Sequence, residues 1–407
     1  MTSGPSALSL STRRSVLLLS FATFASMAAQ RLCDAMLPEL SRVFSVTLAE
    51  AAQVISVFAV VYGLCQLFYG PLGDRLGKFR IVTWATLGCS VGSVLAVFAA
   101  SLDMLVLARM LVALGAAAII PLSLAWIGDA VSYEQRQETL ARVGLGTTLG
   151  ITGGQLIGGL FTDTLGWRWA FAFMTGLFGV VGLLLWRDGR RQRREAANLN
   201  HNPVPEVRPG FVQQALQIVT GRWSRVVLTV ALVEGASGFG VLAIWASHLH
   251  HELGLSLAAS GAVVALFGLG GMVYMAAARY LIPRLGEHGL ARTGVLLLGL
   301  ASLVIAFTPV WWPSAPASLL AGFGFFMFHN TMQTNATQMA PAARGTAVSL
   351  FASALFMGQS MGVLLAAALV GPLGSTAVIA LGSGVLVAVG LYFSVALRRR
   401  HALMQAG

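Results

Sequence analysis

Of 407 residues, 57% are apolar and only 10% charged, against roughly 25% charged in soluble domains, which excludes a water-soluble globule. At roughly 20 apolar residues per helical crossing of a bilayer, the chain holds about a dozen crossings. Its net charge of +11 (26 Lys+Arg, 15 Asp+Glu) forms no basic patch with interleaved aromatics, and its three cysteines, Cys33, Cys65 and Cys89, form no disulfide framework or metal-ligand spacing.

Apolar runs predict spans near 16–37, 51–70, 81–100, 104–127, 140–161, 169–186, 226–247, 258–280, 290–309, 316–338, 346–370 and 374–397. The expected fold class is an all-α integral membrane protein of twelve transmembrane helices in two pseudo-symmetric six-helix bundles, 1–186 and 226–407. The stretch 187–225, with Arg190, Arg191, Arg193, Arg194 and a Pro/Asn segment from Asn198 to Pro209, reads as a polar linker held near anionic lipid. An even number of spans puts both termini on one side. Of the 26 basic residues, only Arg42 and Arg168 fall in loops on the opposite side and only Arg31 and Arg109 lie deep within spans, the rest falling in loops or at span ends on the side of the termini. Both termini are therefore expected to be cytoplasmic. Ser11-Thr12-Arg13-Arg14 ahead of an apolar run and Ala28-Ala29 also suits a cleavable signal peptide. Cleavage there would leave eleven spans and break this charge asymmetry.

The chain repeats internally. Arg75-Leu76-Gly77 returns as Arg284-Leu285-Gly286, an offset of 209, while Arg136, Gly150 and Gly154 return as Arg344, Gly358 and Gly362, an offset of 208. Two landmarks agreeing within one residue predict duplicated halves, and such halves commonly place a site between them near mid-membrane.

Ionisable side chains inside spans are costly and mark ion or substrate pathways. Asp34 in the first span and Glu234 in the seventh are the acids found there, and Arg31 lies three residues before Asp34, on the same helix face. Glu234 has no basic neighbour on its own helix, making it the foremost proton-coupling candidate beside Asp34 and Arg109. The tenth span adds His329, Asn330, Gln333 and Asn335. With His329 and Gln333 one turn apart, Arg31, His329, Asn330 and Gln333 are candidates to line a substrate cavity.

Gly70-Pro71-Leu72-Gly73-Asp74-Arg75-Leu76-Gly77-Lys78-Phe79-Arg80, in the first short loop on the termini side, closely resembles motif A of the major facilitator superfamily. The twelve spans, linker and repeat are similar to that family along nearly the whole chain. The resemblance implies a conformational latch of Gly70, Gly73, Asp74, Arg75 and Gly77 with Asp129 at the end of the fourth span and Arg136 beyond it. Arg109 resembles the motif B arginine, linked in the family to proton transfer. Gly150, Gly154, Gln155, Gly158 and Gly159 resemble motif C of proton-coupled exporters, although Gln155 stands where the family usually has proline. With Gly146, the spacing of four gives one helix face that lets a neighbour approach closely. Gly166-Trp167-Arg168-Trp169 is similar to the family's loop after helix five, and its aromatics are expected to anchor the outer interface. In this family helices one, four, seven and ten line the central cavity, and those carry Asp34 with Arg31, Arg109, Glu234 and His329.

The chain thus resembles twelve-span drug:proton antiporters. That implies a secondary active transporter, exporting small organic molecules or drugs against protons by alternating access in a bacterial-type inner (plasma) membrane. The alternative is a proton-coupled importer or exporter of a metabolite such as a sugar or amino acid, kept open by Gln155 and by two arginines facing two acids. No phosphate-binding loop, nucleophile arrangement or metal spacing points to an enzyme. Expected partners are a small-molecule substrate, protons and membrane lipid, with no nucleic acid, cofactor or metal, and the chain is expected to act as a monomer.

Overall fold

Backbone amides in a bilayer have no water to bond, so a chain crosses it as helices that satisfy their own hydrogen bonds. The computed structural model describes residues 9–197 and 211–406, and among them every regular element is helical. In chain order these are α1 (Leu10–Arg31), α2 (Leu37–Phe44), α3 (Leu48–Ala51), α4 (Gln53–Leu76), α5 (Lys78–Val97), α6 (Leu102–Ala130), α7 (Tyr133–Thr164), α8 (Trp167–Ala197), α9 (Phe211–Thr220), α10 (Arg222–Glu234), α11 (Val241–Leu253), α12 (Leu257–Phe307), α13 (Ser314–Gln338), α14 (Arg344–Leu373) and α15 (Ser375–Ala406). A π-helical segment, Gly235–Gly240, joins α10 to α11.

Helix lies at each expected span. Eight stretches among the described residues are long and apolar enough to cross a membrane. One of them, the 51-residue α12, is two helices meeting at Gly286, whose φ of 61° breaks the helical path. The remaining expected spans are α1, α7 and α13, which carry more polar side chains.

Three expectations change. The first span is not one helix: the chain turns over residues 32–36 between α1 and α2, and Asp34 sits in that turn. The stretch expected as a tether is helical at both ends, in α8 and in α9 with the start of α10, while its Pro/Asn segment, 198–210, lies outside the described residues. At the near end of that stretch, buried Asp188 accepts a hydrogen bond from Ser15 (2.6 Å), tying α8 to the start of α1. A third correction concerns the outer aromatics. Trp169 is exposed, but Trp167 is buried against Phe44 and Phe171 under the Arg168 guanidinium.

The repeat is visible in the backbone. The described residues with positive φ are Ser45, Gly77, Gly166, Gly254, Gly286 and Gly374, which pair as 45/254, 77/286 and 166/374 at the offsets of 209, 209 and 208 read from the sequence. These positions end helices, and five of the six are glycine because left-handed backbone costs an L side chain energy. Packing repeats too. A Cβ on Gly150 or Gly154 of α7 would strike the carbonyls of Phe24 or Ala28 on α1, and one on Gly358 or Gly362 of α14 would strike those of Leu232 or Ala236, 208 residues on. Gly146 and Gly158 extend the α7 ladder against Ser20 and Leu32.

Two seams join the early helices to the late ones. In one, α4 meets α14, with Ser56 bonded to Ser360 (2.6 Å) and Ser353 donating to the Gly63 carbonyl (2.6 Å). In the other, α7 meets the first half of α12 through Asp163, whose carboxylate accepts from the Ala258 amide (2.5 Å), then Gly159 on Leu257, Gln155 on Gly261, Thr152 on Gly268 and Thr148 on Met275. Both seams start at the end opposite the termini and continue to mid-depth. Asp163 also caps the first turn of α12, where a carboxylate complements the helix dipole.

Replacing Gly154 by valine is expected to push α1 off α7, because its Cβ would lie 2.5 Å from the Ala28 oxygen and 3.0 Å from Arg31 Cβ. Overpacking of this kind costs about 1–3 kcal/mol. Thermal unfolding in detergent checks this: Gly154→Val lowers Tm, while Gly88→Ala, with nothing within 4 Å of the added atom, leaves it unchanged.

Candidate functional site

In the turn after α1, Asp34 has lost helical neighbours above it and gained partners from two directions. Arg31 Nη1 donates to Asp34 Oδ2 at 3.3 Å, and Gln155 Nε2, from α7, donates to the same oxygen at 2.7 Å. All three side chains are at most 1% exposed. A buried charge is tolerated only when paired and hydrogen-bonded, and here an amide completes what one guanidinium begins. The Arg31 guanidinium also lies over the ring of Phe239, 4.2 Å from its centroid, on the π-helical segment. Asp34 Oδ1, Arg31 Nε and Gln155 Oε1 have no hydrogen-bond partner among the described residues.

A second acid ends α10. The extra residue of a π turn shifts helix register and recurs at functional sites, and Glu234 immediately precedes it. Glu234 Oε1 lies 2.9 Å from Nδ1 of His329 on α13. The acid is fully buried while the histidine is 15% exposed, so the imidazole is the one of the two with accessible surface. The His329 ring stacks on Phe325 (5.4 Å between centroids, 11° between planes), and Glu234 Oε2 has no partner among the described residues. Gln333, one turn on from His329, is exposed and Asn330 is half-buried, whereas Asn335 turns away to donate to Glu287 (3.0 Å) and to the Thr331 carbonyl.

Arg109 sits well inside α6 and is 1% exposed. Its Nε donates to the Val54 carbonyl (3.1 Å) and its Nη1 to the Ala29 carbonyl (2.7 Å), while the guanidinium covers Phe58 at 4.2 Å. One side chain thereby fastens α6 to α1 and α4. Gln30 of α1, four residues before Asp34, donates to Gln359 of α14 (3.2 Å). Asp34, Arg31, Arg109 and Glu234 all point into the bundle.

The motif A region is partly open to description. The α4–α5 turn is made at Gly77 with φ 91°, Gly73 lies against Leu122, and Gly70 has open space. Asp129 is engaged by Lys78 of motif A, a partner the latch reading did not include, and Arg75 is exposed. The side chains of Asp74 and Arg136 lie outside the described residues. Cys33 and Cys89 are buried and Cys65 half-buried, all as free thiols, which accords with packing roles.

Sequence reasoning placed Gln155 only in a helix-packing motif and missed Gln30, Gln359, Phe239 and Asp163. The one signal for Gln155 was its own anomaly, an amide where the resembled motif has proline.

The chain matches the family model described as Major Facilitator Superfamily over residues 19–363. It is 24% identical over 338 residues to the MFS-type transporter YceJ of Bacillus subtilis, covering 82% of this chain and 84% of the relative. It is 27% identical over 309 residues to a chloramphenicol resistance protein of Pseudomonas aeruginosa, covering 73% and 68%. Its fold is similar to that of a bacterial homologue of the human lysosomal transporter Spinster in an inward-facing, occupied conformation, with TM-score 0.72, 18% identity and 96% of each chain covered. It is similar also to the POT family transporter PepTSo, with TM-score 0.76, 16% identity, and 96% and 99% covered. The protein belongs to the Major Facilitator Superfamily and is a membrane-spanning transporter, not an enzyme.

Proposed function

We propose that the chain is a proton-coupled exporter of small organic molecules, exchanging substrate for protons by alternating access between two six-helix halves, 1–186 and 226–407. The observation that carries the reading is the Glu234–His329 pair: a fully buried carboxylate with one oxygen unpartnered, joined to a partly exposed imidazole at 2.9 Å. Imidazole is the side chain best suited to pass protons near neutral pH. Asp34, compensated by Arg31 and Gln155, is the second exchanging acid, and Arg109 holds the framework in which both sit. The relative associated with chloramphenicol resistance supports export and a drug-like substrate. The seams closed at the end opposite the termini correspond, with cytoplasmic termini, to a transporter open inward. In that state substrate loads as an acid releases its proton; after rocking, proton uptake from outside promotes release. Gly70, Gly73, Asp74, Arg75, Gly77, Asp129 and Arg136 form the inner latch of the opposite state.

In inside-out vesicles, Glu234→Gln is expected to abolish pH-gradient-driven uptake of compounds from a panel that includes chloramphenicol, with the protein still present at normal level. Unchanged coupled transport would remove Glu234 from the mechanism. His329→Gln keeps a hydrogen bond to Glu234 but cannot carry a proton, so it is expected to slow exchange by about tenfold, the rate equivalent of ~1.4 kcal/mol, with equilibrium substrate binding retained. A wild-type rate in that variant would assign His329 to packing.

A further inference from the structure

Gly261 of α12 is touched from two sides. A Cβ there would lie 2.6 Å from the Gln155 carbonyl oxygen and 3.4 Å from the Ala35 Cβ. Ala35 is the residue after Asp34, and Gln155 is the residue whose side chain holds Asp34 at 2.7 Å. The residue after the acid and the acid's amide partner are thus two jaws on one glycine, and that glycine belongs to the helix across the seam. Gln155 has its carbonyl on the seam and its side-chain amide on the acid.

We propose that Gln155 is a positioning residue that carries the charge state of Asp34 to Gly261, and so to the contact between α7 and α12 that closes the end opposite the termini. The inference rests on reading Asp34 as a proton-exchanging group. With Asp34 charged, the Gln155 amide donates a charge-assisted hydrogen bond, roughly twice as strong as a neutral one. That bond sets the rotation of α7 about residue 155, and with it the seat of the Gln155 carbonyl against Gly261. A protonated Asp34 holds the amide less firmly, and the unpartnered Gln155 Oε1 gives the side chain a second arrangement in which it accepts from the acid's O–H. The seam then loses one of its two fixed jaws. A proline, the usual residue of the resembled motif here, offers no such hydrogen bond. The charged groups that face Asp34 are Arg31 at the end of α1 and Arg109 of α6, with the Cys33 thiol beside it. Phe239 covers Arg31, and Gly261 is the residue of α12 set against Ala35 and Gln155.

The test reads the separation of the ends of α7 and α11 beside the seam and needs no substrate. Full-length protein carrying Cys65→Ser, Thr164→Cys and His251→Cys is labelled with nitroxide spin labels, reconstituted into liposomes and measured for inter-label distance between about pH 4 and about pH 9, a range that runs from the ordinary carboxylate value upward. The ratio of closed to open seam is expected to fall about fivefold toward low pH, the difference between a charge-assisted and a neutral hydrogen bond. In Gln155→Met the ratio is expected to be flat with pH. Should that variant fail to fold, Gln155→Asn serves instead, since its amide is one methylene too short to reach Asp34. A wild-type profile in the Gln155 variant overturns the proposal. Asp34→Asn is the control that separates the two claims. A flat profile there with a wild-type profile in the Gln155 variant rejects Gln155 alone, whereas a wild-type profile in Asp34→Asn rejects the reading of Asp34 on which the inference stands.

Discussion

Everything in this chain answers to one constraint: inside a bilayer, a polar group that finds no partner in the protein finds none at all. The constraint sorts the helices. Of those apolar enough to face lipid, α5, α8 and α15 carry none of the site residues, while α6 and α10 carry one each, Arg109 and Glu234. The three that fall short of that apolarity, α1, α7 and α13, bring Arg31 before the Asp34 turn, Gln155 and His329. A helix that is a poor solute for lipid is a good wall for a polar interior, provided other helices cover it. The 1% exposure of Arg31 and Arg109 measures how complete that cover is.

Close approach is the other half of the arrangement. Four glycines of α7 set α1 backbone against backbone, and Gly358 and Gly362 do the same for α14 and the α10 region. Between lipid-like surfaces there is little hydrophobic gain from association, so van der Waals contact over a smooth face supplies the adhesion. The scaffold is repeated but the chemistry is not. At the offset of 208 the counterpart of Asp34 is Leu242, that of Glu234 is Ser26 and that of Arg31 is Phe239. Arg31 and Phe239 are themselves in contact at 4.2 Å. Duplication made two equivalent positions face each other, and divergence turned the pair into a cation over a ring.

How much could be read beforehand follows from which signals are local. Spans, loop charge and the repeat depend on residues near one another in sequence, and helix lies where they placed it. The Arg31–Asp34 pair was legible from a spacing of three. The partnership of Glu234 with His329 was not, because it depends on the rotation of α10 and α13, and the π-helical segment after Glu234 alters that rotation in a way no periodicity announces. The same holds for Gln155. Its neighbours Gly154 and Gly158 fixed which face meets α1, but the reach of a long amide across to Asp34 requires the turn at 32–36, which apolar composition had concealed within a single run. The helical ends of the linker were hidden for the opposite reason, since arginine-rich sequence such as Arg187–Arg194 suits a helix that has left the membrane as well as it suits a tether.

The two acids are unlike in the kind of partner each has. A guanidinium does not give up its proton in a protein, so Arg31 offers Asp34 a permanent positive charge, and any change at that site must be taken up by Asp34 itself or by the reorientation of Gln155. An imidazole does exchange its proton, so in the proposed function the Glu234–His329 pair passes protons while it stays joined. On that reading the Asp34 site converts protonation into a change of hydrogen bonding on α7, next to the seam, and the Glu234 site relays protons by way of the partly exposed imidazole. A fixed cation at one acid and an exchanging base at the other would divide sensing from delivery.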